Sequence, residues 1–292
     1  MAIKIGNTGI NKAYLGGVEI KKLYLGANVI FDNTFTPFLN QFPNASLGLS
    51  LDLLDSDYTG FCIKVRRNNN DELDIGFVNN ELDTASLLDF VGSGNGFVSI
   101  IYDQVGSNNM VQNTASLQGQ IVSNGSVILK GGKPCIIRSS DNDGGYLSTY
   151  TPNDGATVKG MFYVGDNEGK RSMIFGSATN FSDYGFNVVS GSTNTLIDSG
   201  ERGIIQINAT KLNGQNSIFA NRDEVYTATN NQFLLYREIE FNFKDNTLGL
   251  GYNQAEPLNN GMFTFQELVI FENTDDAVAK ENNINARYNN IY

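Results

Sequence analysis

Arg237-Glu238-Ile239-Glu240-Phe241 sets two carboxylates two residues apart in a run that alternates polar and apolar. On an extended strand that spacing turns both to one face. Glu267, in Phe265-Gln266-Glu267-Leu268, is a third carboxylate expected on a nearby strand. Paired carboxyl groups are what glycoside hydrolysis requires, roughly 5 to 5.5 Å apart when configuration is retained and roughly 6.5 to 9.5 Å when it is inverted. The same alternation is also how any half-exposed strand is written. No further motif supports the chemistry, so no catalytic residue is assigned and the chain is expected not to be an enzyme.

Three other stretches carry residues able to meet a ligand. Tyr102-Asp103-Gln104 ends the apolar run Phe97 to Ile101 and enters the turn-forming Gly106-Ser107-Asn108-Asn109. Asp103 either points its carboxylate at a ligand or accepts backbone N–H bonds from that turn. Arg66 and Arg67 open a polar turn that ends at Asp71, where a guanidinium would suit an anionic sugar; a solvated hairpin tip is the plainer reading. Ser140 to Tyr146 holds Asp141, Asn142 and Asp143 just before Gly144, superficially like a calcium loop. It lacks the EF-hand spacing and the distant Glu, and reads as a turn between strands. Tyr102, Asp103, Tyr146 and Arg66 are therefore the candidate ligand contacts, with no metal site and no cofactor expected.

Composition removes whole classes of chemistry. The 292 residues contain no histidine, which excludes an imidazole base, a His-containing triad and His metal ligation. A net charge of −11, with basic residues only in pairs such as Lys21-Lys22, argues against nucleic-acid binding, which depends on neutralising phosphates. The absence of Trp removes the commonest sugar-stacking ring, although 13 Tyr and 19 Phe remain to serve in its place. Cys62 and Cys135, the only two cysteines, sit in apolar runs and read as two buried thiols. No stretch approaches the roughly 18 apolar residues of a spanning helix, so membrane insertion is not expected. Residues 1 to 20 lack a charged start followed by an apolar run, so no export leader is expected.

The elements that must position these residues are mostly short alternating runs, such as Gly96 to Asp103, Lys159 to Gly165 and Phe233 to Phe243, separated by Gly, Asn, Asp and Ser. Many short strands with turn signals between them predict an all-β, antiparallel two-sheet sandwich over residues 45–292. Two helices are predicted within it. One starts at Asp83 or Thr84, carries Leu87, Leu88 and Val91 on one face and stops at Gly92. The other closes the chain, with Ala277, Ile284, Tyr288 and Ile291 seven, four and three residues apart.

Residues 33–44, with Pro37 and Pro43, read as a linker. Residues 1–32 speak one phrase twice, Tyr14-Leu15-Gly16 and Tyr24-Leu25-Gly26. The pattern predicts a three-strand β-meander with turns at Gly16-Gly17 and Ala27-Asn28, and a bulge near Lys21-Lys22 to restore one apolar face. Such a unit is too small to bury its own apolar set. Tyr14, Leu15, Val18, Ile20, Leu23, Tyr24, Leu25, Ile30 and Phe31 are therefore expected to dock on something else.

Two stretches carry a family resemblance. "GFCIKVRRNNNDELDIGFVNN" with "LDTASLLDFVGSGNGFVSIIYDQVGSNNMVQ" resembles the start of the catalytic domain of the α-L-arabinofuranosidase B family, and "GGKPCIIRSSDNDGGYLS" resembles the strand-turn-strand that follows. The likeness runs over residues 60 to 148. The closing "MFTFQELVIFENTDDAVAKENNINARYNNIY" is similar to the last strand and helix of laminin-G and concanavalin-like sandwiches, implying a jelly roll. In the enzyme family a cysteine pair commonly brackets the turn that here reads Val91 to Gly96. The opening "MAIKIGNTGINKAYLGGVEIKKLYLGANVIFD" is similar to the N-termini of fibre and appendage proteins of tailed phages, crAss-like phages among them. That likeness implies a virion structural protein, a head or tail fibre or appendage subunit made in the host cytoplasm. Its implied partners are other virion proteins, further copies of itself in a homo-oligomer, and host-cell polysaccharide bound by the lectin-like sandwich. The alternative is a glycoside hydrolase of the arabinofuranosidase type acting through Glu238, Glu240 or Glu267.

Overall fold

A computed structural model of the chain describes residues 4–5, 8–9, 13–15, 18–20, 22–26, 28–32, 36–138, 145–150, 158–166, 171–177, 185–189, 207–216, 229, 231–240, 248–251 and 263–292. The chain divides into two compact units, Met1–Pro37 and Phe38–Tyr292.

The second unit is an antiparallel β-sandwich. In one layer Ala45–Ser50 pairs with Phe263–Phe271, which pairs in turn with Val158–Asp166, then Phe233–Glu240, then Ile207–Leu212. In the other, Glu72–Ile75 pairs with Ile63–Arg67 and that strand with Gly96–Ile101. The order continues through Met110–Val111, Tyr146–Ser148, Leu248–Leu250, Arg171–Ser177 and Gly185–Val189. Ile136–Arg138 pairs with both Gly119–Ser123 and Phe263–Phe271, so it carries the hydrogen-bond ladder from one layer to the other.

Alternation along each strand divides its side chains between two apolar clusters. Met161, Tyr163, Leu235 and Leu268 lie in the core between the layers with Leu49 and Val98. Their neighbours Phe162, Val164, Leu234 and Tyr236 face outward, where two helices, Phe38–Gln41 and Ala277–Arg287, cover them with Phe38, Ile284 and Tyr288. Phe38 sets its ring edge-on to Phe271, centroids 5.8 Å apart, so the second unit begins inside the stretch read from sequence as linker.

The strand Phe263–Phe271 is buried at all nine positions, and its phase changes midway. Phe263 and Phe265 belong to the inner core, yet so do Leu268 and Ile270, of the opposite parity. The register explains the switch. Val164 pairs with Glu267 while Gly165 pairs with Phe265, leaving Gln266 as the extra residue of a bulge. Beyond it Glu267, Val269 and Phe271 take the helix-covered face.

Both predicted helices form. Thr84–Val91 is capped by Asp83, whose carboxylate accepts from the Ser86 backbone N–H at 3.0 Å and from its hydroxyl at 2.6 Å. Gly92 ends it at φ +67°, a conformation costly for any residue with a Cβ. In Ala277–Arg287 the spacing-predicted Ile284 and Tyr288 are buried in the outer cluster, with Ala277 and Ile291 packed at its edge. Lys280 lays its ammonium 3.9 Å from the Phe271 ring centroid. Cys62 and Cys135 are buried and form no disulfide, as their apolar contexts imply, and the Cys62 thiol donates to the Ser50 carbonyl at 3.4 Å.

In the first unit the described strands form hairpins rather than one meander. Ala13–Leu15 pairs with Val18–Ile20, and Lys22–Leu25 pairs with Asn28–Asp32; the expected turn at Gly16-Gly17 lies outside the described residues. The second reversal is led by Gly26 at φ +61°, which leaves Asn28 free to join the strand. A register shift lies between Leu23 and Tyr24, while Lys21, where the bulge is expected, is outside the described residues. A further hairpin, Lys4–Ile5 with Thr8–Gly9, was not foreseen.

Truncating Ile284 should lower the unfolding free energy by roughly 2 to 5 kcal/mol, the cost of a large-to-small change in a packed cluster. The control Val278→Ala, on the exposed side of the same helix, should stay within about 0.5 kcal/mol. Urea unfolding of both variants measures this; equal losses would remove the helix from the core.

Candidate functional site

The carboxylates flagged by sequence part company in the structure. Glu238 and Glu240 lie on Phe233–Glu240, opposite Gly160 and Val158, about 6.6 Å apart along the strand. Glu238 is half-buried and its Oε1 accepts the Tyr236 hydroxyl at 2.9 Å. Burial and this carboxylate both push the Tyr236 phenol upward, so it remains a proton donor. Glycine is required opposite Glu238, because a Cβ at Gly160 would sit 2.9 Å from the Asn273 carbonyl oxygen.

Glu267 lies two strands away, about 9.5 Å, and pairs with Val164, four residues further along, about 13 Å. That separation exceeds any glycosidase spacing. Glu267 is 0% exposed and fully engaged: Arg287 grips it with both terminal nitrogens at 2.9 and 2.7 Å, and Ser50 donates at 2.9 Å. Arg287 also reaches Asp52 at 3.7 Å, and Lys133 bridges Asp52 at 3.1 Å to Glu81 at 2.7 Å. Burial alone would lower the Arg287 pKa, but Glu267 outweighs it and the guanidinium stays charged. Burial raises Asp52 from its ordinary 3.8 against the pull of Lys133 and Arg287. This network pins the C-terminal helix to the sheet; it is a clamp rather than a reaction centre.

Of the four candidate ligand contacts, two are built into the scaffold. The Asp103 carboxylate accepts backbone N–H bonds from Gly48, Val105 and Asn108 at 3.0 to 3.1 Å and fixes the turn after its strand. The Tyr146 hydroxyl, fully buried, donates to the Val98 carbonyl at 2.6 Å and accepts from Gly119 N–H at 2.9 Å. Arg66 stacks 4.8 Å over the Phe97 ring and donates to Gln118 and the Ala115 carbonyl. The Ser140 to Tyr146 turn lies outside the described residues up to Gly144. Among the described residues no group of three or more acidic or cysteine side chains is placed to hold a metal ion.

Tyr102 does gather a surface around itself. It follows Gly96–Ile101, and its N–H bonds to the Cys62 carbonyl at 3.0 Å, which brings Phe61 alongside. The two ring centroids are 6.2 Å apart at 48°. Cross-strand pairing sets Lys64 opposite Asp74. Asp74 accepts the Tyr102 hydroxyl at 2.6 Å and stands 3.7 Å from Lys64. Phe61 is 49% exposed. An open aromatic face rimmed by a carboxylate, an ammonium and a phenol can hold a sugar ring through its C–H face and its hydroxyls. Sequence reading found Tyr102 but not Phe61 or Asp74, whose only signal was the hairpin register.

No protein-family model matches the sequence, and no curated protein matches it. The fold does find solved structures. An arabinofuranosidase complexed with arabinofuranosyl-alpha-1,2-xylobiose matches at TM-score 0.54 and 15% identity, over 85% of this chain and 64% of that one. A glutamate-to-glutamine mutant of a GH54 α-L-arabinofuranosidase soaked with 4-nitrophenyl α-L-arabinofuranoside matches at TM-score 0.55 and 14% identity, over 87% of this chain and 64% of that one. The chain thus spans just under two thirds of the length of those enzymes, and the likeness is one of fold. It corrects the expectation that the chain is not an enzyme, because the sandwich is an architecture of glycoside hydrolases. The missing histidines exclude imidazole chemistry but leave two-carboxylate hydrolysis untouched.

Arg287→Ala should cost roughly 3 to 5 kcal/mol by stranding the buried Glu267 charge, whereas Arg287→Met combined with Glu267→Gln should recover most of it. The raised Asp52 pKa means the folded state holds that proton to higher pH than the unfolded chain. Its contribution to stability therefore falls as pH climbs from about 4 through the folded value, and Asp52→Asn should flatten that limb. Urea unfolding across pH checks both.

Proposed function

We propose that the chain acts on carbohydrate as a glycoside hydrolase of the arabinofuranosidase type, with Glu238 and Glu240 as its carboxyl pair. The observation that carries this reading is the fold likeness to arabinofuranosidases over 85 to 87% of the chain. The strand spacing adds support, since about 6.6 Å between the two positions lies at the scale of glycosidase carboxyl pairs. Glu238, oriented by the Tyr236 hydroxyl, takes the part of nucleophile or base, and Glu240 that of the acid. Glu267 and Asp103 are excluded because their oxygens are committed to Arg287 and to backbone N–H groups. The surface at Phe61 and Tyr102 gives the glycan a separate hold.

Purified protein should release 4-nitrophenol from 4-nitrophenyl α-L-arabinofuranoside, and Glu238→Gln or Glu240→Gln should lower kcat by roughly 10²- to 10⁴-fold, the usual reach of a positioned acid or base. Melting curves must show both variants folded. Turnover that is absent, or indifferent to both substitutions, would sink the assignment.

The division of the chain after Pro37 favours a second reading of where this sandwich works. We infer that residues 1–32 dock it to virion partners or to copies of itself, so that it serves as part of a phage fibre or appendage. Tyr24 and Leu25 support this, being 59% and 71% exposed on their hairpin, as an apolar contact awaiting a partner would be. The side chains of Tyr14, Leu15, Val18, Ile30 and Phe31 lie outside the described residues. Sedimentation should show a multimer that Tyr24→Lys with Leu25→Lys dissociates without lowering the sandwich's melting temperature. A monomeric wild type would contradict it.

A further inference from the structure

Arg237 immediately precedes Glu238 on its strand and has the parity of the opposite face. Its backbone pairs with Met161 on one side and Thr210 on the other. Its parity is that of Phe233 and Leu235, which lie in the core between the layers with Met161, Tyr163 and Leu212. The residue is 3% exposed, and its Nε has no hydrogen-bond partner. Among the described residues no carboxylate pairs with it. On the same face one diagonal step away is Lys159, whose ammonium is already matched by Glu272.

A guanidinium shut away from water without a counter-charge costs several kcal/mol. It does not escape by losing its proton: burial brings its pKa down to about 9, so it is still a cation at neutral pH. Water would solvate the donors but leave the charge. A small anion does both, and the planar fork of N–H donors suits one.

We propose that Arg237 is the seat of a small monovalent anion, chloride in its simplest form, bound within the sandwich core as the counter-charge that no described residue supplies. The site stands on the face of the strand opposite to Glu238. Its test reads folding rather than hydrolysis, so it stands or falls apart from the hydrolase reading.

The experiment is urea unfolding of the full chain in sodium chloride and sodium gluconate mixtures at constant ionic strength. Binding to the folded state alone should raise the folding constant with chloride, approaching tenfold for each tenfold rise once the site begins to fill. Arg237→Met, which replaces a buried charge by an apolar chain of similar reach, should fold and show no such dependence. A flat wild-type response, or an equal slope in the variant, would overturn the proposal. Should the variant fail to fold, crystals soaked in bromide give the second reading. An anomalous peak within hydrogen-bond distance of the Arg237 guanidinium supports the site, and its absence there rejects it.

Discussion

The strand Phe263–Phe271 has water on neither face, and the rest of the sandwich is arranged around that constraint. A strand covered on both sides needs apolar residues at every position, yet this one carries Gln266 and Glu267 at its centre. The bulge reconciles the two. Gln266 becomes the extra residue and turns its amide to the carbonyls of Lys130, Lys133 and Pro134. Glu267 swings to the helix side, where a buried carboxylate demands a cation with matched geometry. Arg287 supplies it from the last turn of the C-terminal helix, and that contact fixes where the helix lies.

The same demand sorts the acidic residues by role. Carboxylates that hold the scaffold, Glu267, Asp52 and Asp103, are deep and have their oxygens saturated by Arg, Lys or backbone N–H. Glu238 differs: half-buried near the end of its strand, it meets one phenol among the described residues. A residue whose hydrogen-bonding capacity is only partly used is the one a substrate can still recruit.

Local signals in the sequence carried far. Asp83 or Thr84 and Gly92 bracketed their helix to within a residue, because capping depends only on neighbours in the chain. The seven-four-three spacing of Ala277, Ile284, Tyr288 and Ile291 identified the buried side of the last helix. Short alternating runs were enough for the sandwich. What stayed hidden was everything that joins distant residues. Glu267 read as a catalytic candidate because a Glu inside an apolar strand has the same spelling whether it meets Arg287 or a sugar. Arg287, twenty residues on, offered no hint of the pair. The bulge at Gln266 lies in the partner's register, not in the strand's own pattern. Arg237 passed as the start of an alternating run, although the strand hides it. Asn explains another share of the missed detail. It takes positive φ at Asn70, Asn79, Asn80 and Asn124, turning the chain without the glycine that sequence reading looks for.

The two thiols have a bearing on handling. Cys62 sits wholly inside the core, and burial holds its thiol well above the ordinary range, so almost no thiolate is present at neutral pH. Cys135 is equally enclosed. Nucleophilic attack, alkylation and peroxide oxidation all proceed through an accessible thiolate. The folded protein is thus inert toward maleimides and indifferent to reductant, and a single cysteine placed on its surface would be the one position a fluorophore or spin label could find.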